Sequence, residues 1–186
     1  SEQNVVGLGH TSRIDREIWD AFHADWDGLV WEAQRLRGSF GSPLPSAVIP
    51  SGPSERVVEA RRRAHQAFFR STVLSSYERR CCVTGLPVSE CLIASHIVPW
   101  AEREESRADP RNGLCLSATF DRLFDRGLMT LDEDRRVCIS HRIREMTEEP
   151  VKRRLAVYHG QPILLPKRFL PLEEYLGWHR EHVFEA

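Results

Sequence analysis

A chain of 186 residues is long enough for one domain with a buried core or for a small catalytic module with helical attachments, and the second is the expectation here. Its 26 basic and 27 acidic residues leave a net charge of −1, which excludes a uniformly basic surface, so any nucleic-acid contact must come from local clusters. Five cysteines, an odd number with Cys81 and Cys82 adjacent, and the lack of an apolar leader or of an apolar run of about 18 residues point to a soluble, cytoplasmic, disulfide-free protein with no membrane partner.

Ser12 opens a helical pattern in which Ile14, Ile18, Phe22, Trp26, Leu29 and Val30 form one apolar stripe as far as about Arg37, with Gly38 as its stop. Trp19, Trp26 and Trp31 share that helical spacing and are expected in core or subunit contacts rather than as stacking platforms. From Gly38 to Pro53 the chain turns to Gly, Ser and Pro, which cannot hold a helix and reads as a linker. Boundaries are therefore expected at 1–53, 54–145 and 146–186. Ser54 caps a second helix through about Tyr77, with Val57, Ala64, Phe68 and Val73 inward and Arg61 to Arg63 outward.

Leu92 to Ile97 and Leu114 to Leu116 are short apolar strands, and Ser117 caps a helix closed by Gly127. Leu128 to Leu131 and Arg136 to Ser140 read as a hairpin across Asp132-Glu133-Asp134. The tail reads as a helix near Val151 to His159, a short strand near Ile163 to Leu165, and a last helix after Pro171 with Leu172, Leu176 and Val183 on one face.

The most specific signal is the run Ala94-Ser95-His96-Ile97-Val98-Pro99-Trp100, followed by Asn112-Gly113-Leu114 and by Thr119 through Gly127. His96 and Asn112 lie 16 residues apart, and Asn112 and Asp121 lie 9 apart. From about Ala67 to Ser140 the chain resembles an HNH nuclease core. That resemblance implies an α+β fold, a ββα-metal finger with a following β-hairpin, flanked here by N-terminal and C-terminal helices. It also implies metal-dependent hydrolysis of DNA phosphodiester bonds in the restriction of foreign or modified DNA.

Phosphodiester hydrolysis needs an activated water, neutralised phosphoryl oxygens and a stabilised leaving oxyanion. His96, at a strand end, is the expected general base. Asn112 resembles the family's middle residue, whose amide ties the loop between the strands; the dipeptide Asn-Gly by itself also favours a simple turn. Where many relatives carry a final His, this chain has Asp121, with Asp125 one helical turn later. Residues i and i+4 share a helix face, so the two carboxylates can converge on one cation, and hard oxygen ligands favour Mg²⁺ or Mn²⁺. Asp121 pairing with Arg122 or Arg126, and Asp125 serving the helix end, are the structural alternatives. Ser95, a neutral hydroxyl, is left out of the metal shell.

No Cys-x-x-Cys pair exists, Gly85 standing where Cys82 would need its partner, so no structural zinc is expected. His179 and His182 lack a third ligand at suitable spacing and are expected as core or surface histidines. Arg79, Arg80, Arg111, Arg122 and Arg126 are the candidate nucleic-acid contacts. Specificity would come from a homodimer or a separate specificity domain. A ββα finger that binds nucleic acid without cutting it, or an RNase, are the competing readings.

Overall fold

The computed structural model describes residues 13, 17, 20, 21, 25–39 and 54–186. Two compact units divide the chain, residues 1–64 and 65–186. In the first, residues 13, 17, 20 and 21 are helical, Asp25 is not, and helix α1 spans Trp26–Ser39. The single helix expected from Ser12 to Arg37 is thus interrupted at Asp25. Its Oδ1 accepts from the Gly28 amide at 2.8 Å while its carbonyl takes the Leu29 amide at 3.1 Å, the two bonds of an N-cap. Trp26 and Val30 are buried; Ile14, Trp19 and the segment 40–53 lie outside the described residues.

Helix α2, Ser54–Ser76, runs across the division and begins at Ser54 itself. Its part in the second unit buries Phe69, Val73 and Leu74. Phe69 takes the inward position expected of Phe68, which is only half-buried. One residue is about 100° on a helix, enough to exchange an inward side chain for a flanking one.

The second unit is built on two antiparallel pairs. Strand β1, Leu92–His96, pairs with β2, Gly113–Ser117, in a register that sets Leu92 opposite Ser117 and His96 opposite Gly113. Every residue of β2 is buried, as expected of a strand covered on both faces. Helix α3, Ala118–Asp125, follows at once and packs Phe120, Leu123 and Phe124 inward at i, i+3 and i+4. Ser117 stands at the N-cap position but makes no capping hydrogen bond. Gly127 ends the helix at φ +67°, and a Cβ there would collide with the Val183 carbonyl, so both backbone freedom and absence of a side chain are needed. Strands β3, Met129–Leu131, and β4, Val137–Ile139, complete the expected hairpin.

The tail folds as part of this unit. Short helices α4, His141–Arg144, and α5, Glu149–Arg154, lead to a 3-10 turn at Ala156–Tyr158. The strand expected at Ile163 to Leu165 does not form. Only a single bridge joins Arg136 and Pro162, and Leu164 instead donates its amide to the Cys82 carbonyl at 2.7 Å. Helix α6, Glu173–His182, buries Tyr175, Leu176 and His179. No helix among the described residues is long and apolar enough to cross a membrane.

Two polar groups deep in this unit hold elements together. Asn112 is fully buried. Its Oδ1 accepts from the Val98 amide at 2.8 Å and its Nδ2 donates to the Val98 carbonyl at 3.0 Å, with a further bond to the Ser106 carbonyl at 3.3 Å. The reciprocal pairing with one peptide fixes which amide atom is oxygen. His179 stacks on Phe124 with ring centroids 3.7 Å apart. A carbonyl only accepts, so the contact of Nε2 with the Phe124 carbonyl at 3.2 Å puts the proton there, and Nδ1 accepts from the Thr130 hydroxyl at 2.9 Å.

Replacing Asn112 by Ala leaves the Val98 N–H and C=O buried without partners, and chemical denaturation should show a loss of about 3 kcal/mol. Asn112→Asp keeps the acceptor, loses the donor and should also be destabilised; wild-type stability in that variant would refute the clamp. Burial pushes His179 down to about 4 from 6.5, with the Phe124 carbonyl opposing and Arg180 adding to the shift. The unfolded chain therefore takes a proton at about 6.5 that the native ring refuses until about 4. The stability present above 6.5 should be lost as pH falls toward 4, by up to about 3 kcal/mol. Melting curves across that window for wild type and His179→Gln check this; identical slopes would assign the pH dependence elsewhere.

Candidate active site

His96 closes β1, opposite Gly113. Its ring lies flat against Phe69 at 3.7 Å with an 8° tilt and meets Trp100 edge-on at 5.8 Å. Gly113 makes that stack possible: a Cβ there would come within 2.5 Å of Val73 Cγ2 and 2.9 Å of Phe69 Cζ. With φ −134° and ψ 140° the glycine is extended strand. The Asn112-Gly113 pair therefore makes no left-handed turn, and glycine is present for room.

The far nitrogen of His96, Nε2, bonds the Arg107 carbonyl at 3.0 Å. Since that oxygen has no proton to give, Nε2 carries the ring proton and Nδ1 is left with its lone pair. Burial lowers the His96 pKa, and the bond to Arg107 opposes this without cancelling it. The neutral ring, able to accept a proton, is thus the form at neutral pH. Arg107 is itself fixed, donating to the Trp100 carbonyl at 2.9 Å with its guanidinium 5.3 Å over the Trp100 ring.

On α3 the apolar residues Phe120, Leu123 and Phe124 face the core and leave Asp121 and Asp125 on another side. The two carboxylates feel each other. Burial raises both pKa values; repulsion from Asp121 raises Asp125 further, while Arg122 opposes the rise at both and Arg126 at Asp125. Ser95, directly before His96, is 3% exposed and its Oγ has no hydrogen-bond partner among the described residues. It lies near enough to Asp121 to draw that carboxyl's pKa down, an electrostatic contact short of a formed hydrogen bond. Asp121, Asp125 and Ser95 are therefore neighbours, and His96 adjoins them through the chain.

The expected arginines separate into two groups. Arg79, Arg80, Arg122 and Arg126 are exposed. Arg111 is engaged by the buried Asp109, with its Nε and Nη2 at 2.8–3.1 Å from both carboxylate oxygens, which makes it a brace of the loop. Phe69, Ser95, the Arg107 carbonyl and Ser106 were not singled out as site residues from sequence. Only Ser95 had a local signal, its place beside the base; the others come from packing.

Residues 81–132 match the model of a family described as HNH endonuclease. Among solved structures the chain is similar to a modification-dependent TagI restriction endonuclease, at 20% identity and a TM-score of 0.43, over 62% of this chain and 37% of that one. It thus spans little more than a third of that protein's length. A search of curated proteins returned no match. The two strands, the loop that Asn112 ties and the helix that carries Asp121 all lie in the stretch that is similar to the HNH endonuclease family.

Proposed function

We propose that the chain is a metal-dependent DNA endonuclease in which His96 is the general base, and the observation that carries the reading is the fixed, neutral imidazole whose Nδ1 has no hydrogen-bond partner among the described residues. Among the described residues no three His, Cys, Asp or Glu side chains converge to hold a metal ion. The donors that do come together are two carboxylates of raised pKa and a buried hydroxyl without a partner. Such hard oxygens fit Mg²⁺ or Mn²⁺, ions that keep several waters and need only one or two protein carboxylates. Asp121 and Asp125 would hold the cation, which supplies charge neutralisation at the phosphoryl and leaving oxygens.

The chain's own residues do the rest. His96 Nδ1 takes a proton from a water as its oxygen attacks phosphorus in line, and the bond from phosphorus to the 3′-oxygen breaks. Phe69 and the Arg107 carbonyl keep the ring from turning, so the proton acceptor is aimed before substrate arrives. Arg79, Arg80, Arg122 and Arg126 are the phosphate contacts, and Arg111 holds the loop. The reading extends to restriction of foreign or modified DNA in the cytoplasm, with specificity from a second copy or a further domain, because a finger that reads backbone carries little sequence information.

His96→Gln keeps a donor for the Arg107 carbonyl and removes the basic nitrogen. Plasmid cleavage should fall about 10²- to 10⁴-fold while the melting temperature and DNA affinity hold. Cutting at the wild-type rate would remove His96 from the chemistry. For the cation, Mn²⁺ calorimetry should show a larger loss for Asp121→Asn than for Asp125→Asn, because Asp121 adjoins Ser95 at the end of β1. Undiminished binding in both variants would take the metal off this helix.

A further inference from the structure

Beside the first turn of helix α3 lies a groove of about 690 Å³, within the size range of small-ligand sites. The turn at Thr84 to Pro87 forms one wall and α5, with Pro150, Val151 and Arg154, the other; Ser117, Thr119 and Phe120 form the floor. Three features converge there. The first turn of α3 leaves its amide N–H groups without intrahelical acceptors, and no side chain caps them. Ser117 is 8% exposed and no partner for its hydroxyl is found among the described residues, although it lines the groove. Arg154 also faces the groove without an ionic partner among the described residues, whereas Arg153 beside it is held by Glu149 at 3.0 Å.

Free amides, a hydroxyl and an uncommitted guanidinium at the positive end of a helix dipole form a binding set for a phosphate group. We infer that this groove anchors a second backbone phosphate of the nucleic acid, apart from the phosphate being cut. The inference rests on the nuclease reading above and adds Ser117, Thr119 and Arg154 to it. The wall at Thr84 to Pro87 is itself rigid: Gly85 donates to the Cys81 carbonyl at 2.8 Å, and Cys81 to the Leu86 carbonyl at 3.0 Å.

The test uses the whole 186-residue chain carrying His96→Gln, so that DNA stays intact. Duplex affinity is measured over a series of salt concentrations. Arg154→Gln should lower the slope of log affinity on log salt by about 0.9, the loss of one phosphate contact. Arg153→Gln, the same charge change one residue away, should lower it much less; equal slopes in the two variants would overturn the proposal. Amide NMR shifts of Ala118, Thr119 and Phe120 are then followed with duplex and with inorganic phosphate as probes. Shifts with duplex that vanish in Arg154→Gln support the anchor. If the duplex binds and these amides answer neither probe, the groove is refuted and the nuclease reading stands. If the amides answer inorganic phosphate while no duplex binds, the nucleic-acid reading fails, and with it the strand anchor.

Discussion

A single carboxamide holds the site in place. Asn112 is buried where water cannot replace a lost partner, and it meets the peptide of Val98 donor to acceptor and acceptor to donor. Val98 lies two residues beyond His96, and Asn112 directly precedes β2, so the bond pair closes the ends of two strands over a loop of more than a dozen residues. A buried polar group satisfied on every side stabilises modestly, yet any other loop path would leave it unsatisfied at a cost of about 1–3 kcal/mol per group. That difference selects one geometry. The aim of His96 follows from it, since the Arg107 carbonyl that fixes Nε2 belongs to the same loop.

Burial then acts in opposite senses on the groups it surrounds. At His96 it disfavours the imidazolium and keeps a proton acceptor ready at neutral pH. At Asp121 and Asp125 it disfavours the carboxylates, and their mutual repulsion adds to the penalty at Asp125. Arg122 and Arg126 offset part of this from an exposed position, where a guanidinium is screened by water. The chain alone therefore keeps a partly frustrated pair of acids near the end of the strand that carries His96. Frustration of this kind is what local folding would remove, and under the proposed function a divalent cation would relieve it.

The core of the fold was legible in sequence because several levels agreed. Residues 120, 123 and 124 are apolar at helical spacing, the strands on either side of the loop are short and apolar, and Gly127 stops the helix where a left-handed residue is needed. The errors fell where one level was read alone. Periodicity could not tell Phe68 from Phe69, because both flank the stripe and only the His96 ring and the gap at Gly113 decide between them. It also ran through Asp25, whose side chain offers the backbone a cap that competes with helix continuation. Near Ile163 the apolar residues suggested a strand, but the segment meets the free edge of β4 only at the bridge between Arg136 and Pro162, and Leu164 then turns its amide to the Cys82 carbonyl. For the candidate site, His96, Asn112 and the two acids could be proposed from spacing. The groups that aim them could not, because Phe69 and Arg107 are brought in by tertiary contacts that no local pattern records.

The C-terminal helix shows how far support for His96 extends. Asp109 is buried beside Asn112, and its carboxylate caps the Arg111 amide, receives the Arg111 guanidinium and accepts from the Tyr175 hydroxyl at 3.3 Å. Tyr175 is on α6, as is Glu174, which pairs with Arg103 at the outer side of the same loop. Leu172, at the start of that helix, donates its amide to the Arg111 carbonyl at 3.2 Å. Farther along, His179 bonds Phe124 near the end of α3 and Thr130 in the hairpin. One helix thus touches the loop that orients His96, the helix that carries the acids and the hairpin behind them. A two-strand, one-helix finger buries too little surface to fix all three by itself. In this chain α6 supplies the missing constraint, so changes at Tyr175 or His179 reach His96 and Asp121 through the framework without touching either.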